Sequence, residues 1–142
     1  MIVLDASVAA KVYIDEAGSD EAIALVTGKE RLAAPELIRM EVTAALCRRV
    51  RKAELETAQA RPRCQHWLDR LHAGLFRLTP DEELLIDAID LACQFKHPVQ
   101  DCLYLAAARR LDAPLITADR TFRDRAGALD SRDTLLARCA PN

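Results

Sequence analysis

Ile2-Val3-Leu4-Asp5-Ala6-Ser7-Val8 opens the chain with three apolar residues, an acid, a hydroxyl and the start of a second apolar stretch. A short run that is apolar throughout is how a strand buried on both faces of a parallel sheet reads. Ser7 is a good N-cap, so a helix over about Val8 to Tyr13 is expected to follow. The acid then falls at the carboxyl end of the strand, just before a helix.

Working outward, the same alternation recurs. A helix is expected from Ser19 to Thr27, stopping at Gly28, then a brief strand from Arg31 to Ala34. Pro35 suits the first turn of a long helix to about Lys52, and another helix from Leu55 to His72 carries Trp67. Phe76 to Leu78 reads as a third strand. Thr79 is placed to cap a helix that begins at Pro80 or Asp81 and ends before Lys96. Val99 to Leu111 is helical again, Pro114-Leu115-Ile116-Thr117 is a buried strand, and a last helix begins near Arg120. From Ala128 onward an edge strand and a short helix fit equally. Strands alternating with helices imply an α/β fold, a mainly parallel sheet with helices on both faces. The 142 residues are expected to make one domain, residues 1–142.

Composition agrees with a globular enzyme-sized unit: 51% of residues are apolar and 30% charged. No apolar stretch approaches the roughly 20 residues that span a bilayer. The N-terminus has no basic region and no small-residue cleavage site, so no secretory signal is expected. The five cysteines are scattered singly, which argues against a disulfide framework and for the cytoplasm. The net charge of −2 gives no global pull toward nucleic acid. It hides a basic run, Arg48, Arg49, Arg51 and Lys52, and a second group, Arg109, Arg110, Arg120, Arg123 and Arg125. The first run reads as a solvated helix face or as an RNA contact.

Ligand sites in parallel sheets form beyond the carboxyl ends of the strands, and that is where the acids stand. Asp5 follows the first strand and Asp119 follows the Leu115–Thr117 strand; adjacent strands would hold them near each other. Asp101 falls in the first turn of its helix, where the helix dipole favours negative charge. Glu41 shares an apolar arc with Leu37, Ile38, Val42 and Ala45 at about 100° per residue. A carboxylate there is desolvated unless something pairs with it, either a metal ion or an arginine from another element. Taken singly, Asp5 can be a helix cap and Asp101 a dipole-complementing surface acid. Several converging carboxylates repel one another unless one is protonated or a hard divalent cation binds among them. All-oxygen ligation suits Mg²⁺ or Mn²⁺ rather than zinc. Ser7 and Thr117 stand beside the first and last acids as hydroxyls that can orient carboxylates or water.

These segments resemble the PIN-domain family, specifically the VapC-type ribonuclease toxins. Val3-Leu4-Asp5-Ala6-Ser7 is similar to that family's first motif, Ala34-Pro35-Glu36-Leu37 with Glu41-Val42 to its second, Asp101-Cys102-Leu103-Tyr104-Leu105-Ala106 to its third, and Leu115-Ile116-Thr117-Ala118-Asp119-Arg120 with Phe122 to its fourth. Each alone is weak; four in order are specific. The resemblance implies a three-layer α/β/α sandwich and Mg²⁺- or Mn²⁺-dependent cleavage of RNA. It implies Asp5, Glu41, Asp101 and Asp119 as metal-site acids, a VapB-like antitoxin, and a homodimer. Some members carry a further acid two residues after the fourth. Thr121 occupies that slot here, which argues against a second tightly held ion.

Two other readings compete. A catalytically silent RNA- or protein-binding module would keep the fold without the chemistry. A haloacid-dehalogenase-like phosphatase would use Asp5 as nucleophile, but it needs an acid two residues on, where Ser7 stands. His66, His72 and His97 lack a metalloprotease spacing and no Cys-x-x-Cys occurs, so zinc is not expected. Trp67 reads as core or dimer interface, and Lys11 as a side chain reaching either a phosphate or the surface.

Overall fold

A computed structural model describes residues 1–129 of the chain. Four strands form one parallel sheet: β1 (Ile2–Leu4), β2 (Leu32–Pro35), β3 (Phe76–Thr79) and β4 (Leu115–Ile116), in the order β3-β2-β1-β4. Val3 pairs with Ala33 on one side and with Leu115 on the other. β1 is buried along its whole length, which is why it is apolar without alternation. The chain runs outward from β1 through β2 to β3 and returns to β4 on β1's free side, so the strand order switches at β1. The carboxyl ends of β1 and β4 therefore open on a single crevice.

The helices among the described residues are α1 (Ala6–Ala9), α2 (Ser19–Thr27), α3 (Ile38–Arg51), α4 (Thr57–His72), α5 (Leu85–Phe95), α6 (Val99–Arg110) and α7 (Arg120–Leu129). α6 lies against β1, β2 and β4, with α5 packed along it; α1 to α4 pack against one another as the second helical group. The result is an α/β/α sandwich. α6 is buried from Cys102 to Ala108, so its leucines and alanines serve close packing on the sheet. Trp67 is core: it is 1% exposed and meets Tyr13 and Phe76 edge to face at 5.7 and 5.8 Å. No described helix is long and apolar enough to cross a membrane.

Several boundaries differ from the sequence expectations, each for a local reason. Asp5, not Ser7, caps α1, accepting from the Ser7 amide. Pro35 ends β2 instead of opening a helix. It still pairs with Thr79 of β3, while the β1–β2 pairs stop at Val3 and Ala33, just before the residue that has no amide to donate. α3 starts only at Ile38, where the Leu37 amide donates to Asp81 Oδ1 at 3.0 Å. β3 continues through Thr79, and a 3₁₀ turn at Asp81–Glu83 precedes α5. The choice between strand and helix from Ala128 onward falls largely outside the described residues, as does Cys139.

Candidate active site

Asp5 leaves β1 beside the end of β4, its amide donating to Ile116 O at 3.0 Å. It is 6% exposed, and both carboxylate oxygens accept hydrogen bonds. Oδ1 accepts from the Ser7 amide at 3.3 Å; Oδ2 accepts from Ser7 Oγ at 2.9 Å and from the Thr117 hydroxyl. The two hydroxyls also knit the strand ends together, because the Ala118 amide donates to Ser7 Oγ and the Asp119 amide to Thr117 Oγ1, each at 3.0 Å. These bonds hold the Asp5 carboxyl down less than burial and the neighbouring Asp101 push it up, and its pKa is raised.

Glu41 extends from α3 between the buried Ile38 and Val42. Among the described residues no arginine or lysine pairs with it; its partner is Tyr104 of α6, whose phenol donates to Oε2 at 2.5 Å. Burial raises the Glu41 pKa, and the charges of Asp5, Asp101 and Asp81 add to the rise while the phenol opposes it. The Tyr104 phenol is itself pushed far up by burial and by Glu41, so it stays a donor at any physiological pH.

Asp101 sits in the first turn of α6, with Oδ2 2.7 Å from His97 Nε2. Its pKa is raised by burial first; Asp119 adds to the rise and His97 counters it. Asp119 caps α7, Oδ1 accepting from the Phe122 amide at 2.9 Å.

All four acids line one cavity of about 670 Å³. Ligand atoms of His97, Asp101 and Asp119 lie within 4.8 Å of one another; Asp5 and Glu41 face the same cavity outside that triple. Sequence reading missed His97 and Tyr104. The spacing of His97, four residues before Asp101, was the one available signal for the histidine; Tyr104 lies three residues after Asp101, on the same face of α6.

The rim of the cavity is basic and carries one more acid. Glu16 pairs with Arg49 and accepts from Lys11 Nζ at 3.1 Å. Lys11 also donates to Ala17 O at 2.7 Å, so it is used structurally. Arg48 and Lys52 line the same cavity and are exposed, and their side chains make no hydrogen bond or ion pair among the described residues.

Comparison with known proteins adds two findings. A family model described as "PIN domain" matches residues 2–128, a span that contains all four acids. The chain is 28% identical over 128 residues to "Ribonuclease VapC3" of Pyrobaculum aerophilum, covering 90% of this chain and 96% of that protein.

Proposed function

Since the chain belongs to the PIN domain family, we propose that it is a divalent-cation-dependent endoribonuclease, the toxin of a toxin–antitoxin pair, with Asp5, Glu41, Asp101 and Asp119 as its catalytic acids. The observation that carries this reading is a cavity lined by four carboxylates, three of them with raised pKa values. Among the described residues no lysine or arginine pairs with any of the four.

The donor set fits a hard ion. Carboxylate oxygens dominate it, which favours Mg²⁺ or Mn²⁺. Asp101 and Asp119 would hold the ion, with Asp5 and Glu41 facing it across the same cavity. When bound, such an ion acidifies water and stabilises negative charge on a phosphoryl oxygen.

The chain's own groups do the rest. Ser7 and Thr117 fix the Asp5 carboxylate, so the end of β1 cannot turn away from the end of β4. Tyr104 holds Glu41 Oε2, leaving Oε1 to accept a proton from the attacking water; its raised pKa suits it to that task. The products would carry a 5′-phosphate and a 3′-hydroxyl.

RNA as substrate is supported by the similarity to the Pyrobaculum ribonuclease and by the rim. Arg48 shares the Glu41 face of α3, about 10 Å along it from that acid at 1.5 Å per residue, and Lys52 follows at the helix's C-terminal cap. They are placed to hold backbone phosphates flanking the scissile one. The working unit is residues 1–142 as one domain, acting in the cytoplasm as a homodimer and restrained by a VapB-like antitoxin. The exposed Leu85, Ile86 and Ile89 of α5 offer an apolar surface for the dimer.

The test is end-mapping of RNA incubated with the purified protein and MnCl₂ or MgCl₂. Discrete cuts with 5′-phosphate ends, lost with chelator and in Asp101→Asn, are expected. Cleavage that persists in that variant, or ends in 2′,3′-cyclic phosphate, would contradict the proposal.

A further inference from the structure

His97 has no part in the roles assigned so far, yet its ring is packed and hydrogen-bonded beside the acids. The side chain is 5% exposed. It stacks on Phe122 with ring centroids 4.7 Å apart and planes at 17°. Nε2 lies 2.7 Å from Asp101 Oδ2 and Nδ1 lies 3.4 Å from an Arg125 guanidinium nitrogen. Arg125 is itself anchored by donating to Lys96 O at 2.7 Å.

A guanidinium can only donate, so Nδ1 is the acceptor of that contact and the ring proton belongs on Nε2. There it donates to Asp101 Oδ2. A nitrogen that carries a proton in this way has no lone pair to offer a metal ion. Although a His97 ligand atom lies within 4.8 Å of Asp101 and Asp119 atoms, the hydrogen-bond directions make it a holder of the carboxylate.

We propose that His97 is a positioning residue for the metal centre, fixing the rotation of the Asp101 carboxylate beside Asp119 through its Nε2–H bond. This rests on the cation-dependent reading above. The packing extends the effect to the second acid. The Phe122 ring that stacks on His97 belongs to the turn whose amide bonds Asp119 Oδ1. One aromatic pair thus ties together the starts of α6 and α7, from which Asp101 and Asp119 project. Hydrogen bonds of this kind behind a metal-binding carboxylate or imidazole orient it and commonly change metal affinity by about 10- to 100-fold.

The experiment uses the full chain and MnCl₂ as probe, with affinity read by calorimetry and by the EPR signal of free Mn²⁺. His97→Phe keeps an aromatic ring on Phe122 but loses the donor; Mn²⁺ affinity should fall about 10- to 100-fold. His97→Gln restores an N–H and should recover most of that loss. Two measurements on the unsubstituted protein need no variant to fold. ¹⁵N NMR of the His97 ring should show the Nε2–H form, and pulsed EPR of the Mn²⁺ complex should show no directly bound ring nitrogen. Unchanged affinity in a folded His97→Phe, an Nδ1–H ring, or a coordinated nitrogen would each overturn the inference while leaving the cation site standing. Absence of Mn²⁺ binding by the unsubstituted protein would remove the cation reading and this inference with it.

Discussion

Glu16 and Glu41 face the same cavity and are held in opposite ways. Glu16, at the rim, sits between Lys11 and Arg49. Glu41, at the floor, meets a phenol and the charges of Asp5, Asp101 and Asp81. Glu16 is neutralised inside the chain by Lys11 and Arg49, whereas among the described residues the four floor acids meet hydroxyls, amides and one imidazole but no lysine or arginine. Folding has not minimised the electrostatic energy of the floor. That deficit is what a bound cation would offset, so the two regions should answer differently to substitution, to pH and to metal.

The largest difference is expected at Asp101. Asp101→Asn should reduce RNA cleavage to about one-hundredth or less, since both a ligand and its hydrogen-bonded support are altered. Without divalent cation the same variant should melt higher than the parent, because one of several repelling charges is gone. Thermal melts in chelator check the second half, and a lower melting temperature would count against the repulsion.

Next in size is the response to pH and metal. The carboxyls of Asp5, Glu41 and Asp101 have raised folded-state pKa values, so the native state binds more protons than the unfolded chain between the unfolded and the raised values. Cation-free stability is therefore expected to fall as pH rises through that window, starting near the ordinary carboxylate range of about 4. Mn²⁺ should restore it. A hundredfold excess over Kd contributes about 2.7 kcal/mol, or several degrees in Tm, and the gain should shrink as the pH is lowered. Melting curves at three pH values with and without MnCl₂ measure this; a gain independent of pH would blur the contrast between floor and rim.

Tyr104→Phe should act on the floor alone. Losing the phenol leaves Glu41 without its donor and raises its pKa further, moving the acid limb of the pH–rate profile to higher pH and lowering cleavage by about 10-fold. An unshifted limb would mean that Glu41 is not the group titrating. Arg48→Ala tests the other region. The expected result is a several-fold rise in KM for RNA with kcat little changed, and a salt dependence shallower by about 1 in slope. The smallest effect belongs to Glu16→Gln. Its partly exposed pairs with Lys11 and Arg49 are worth on the order of 1 kcal/mol or less, and cleavage should stay within about twofold, as a competition assay against the parent would read.

What the sequence made legible follows the same division. Asp5 and Asp119 were placed by rules that need only local pattern, an apolar run followed by an acid, and β1 and β4 do lie side by side. Ser7 was read as the cap of the helix after β1; it instead bridges Asp5 and the Ala118 amide. Choosing between two adjacent capping residues required knowing which faced β4. The half-buried position of Glu41 is visible in the helical arc, but its partner is not, because Tyr104 lies 63 residues away on α6. His97 stands four residues before Asp101, but α6 begins only after Pro98, so that spacing alone does not read as a contact along one helix. Arg48 and Lys52 were visible as charge but not as rim, since that depends on where α3 lies over the cavity.

If acids from four separate segments share one divalent cation, diffraction from crystals grown with MnCl₂ will locate it. An anomalous peak within coordinating distance of at least three of Asp5, Glu41, Asp101 and Asp119 is the predicted result. A well-occupied ion elsewhere on the surface, or no ion among these carboxylates at millimolar MnCl₂, would contradict it.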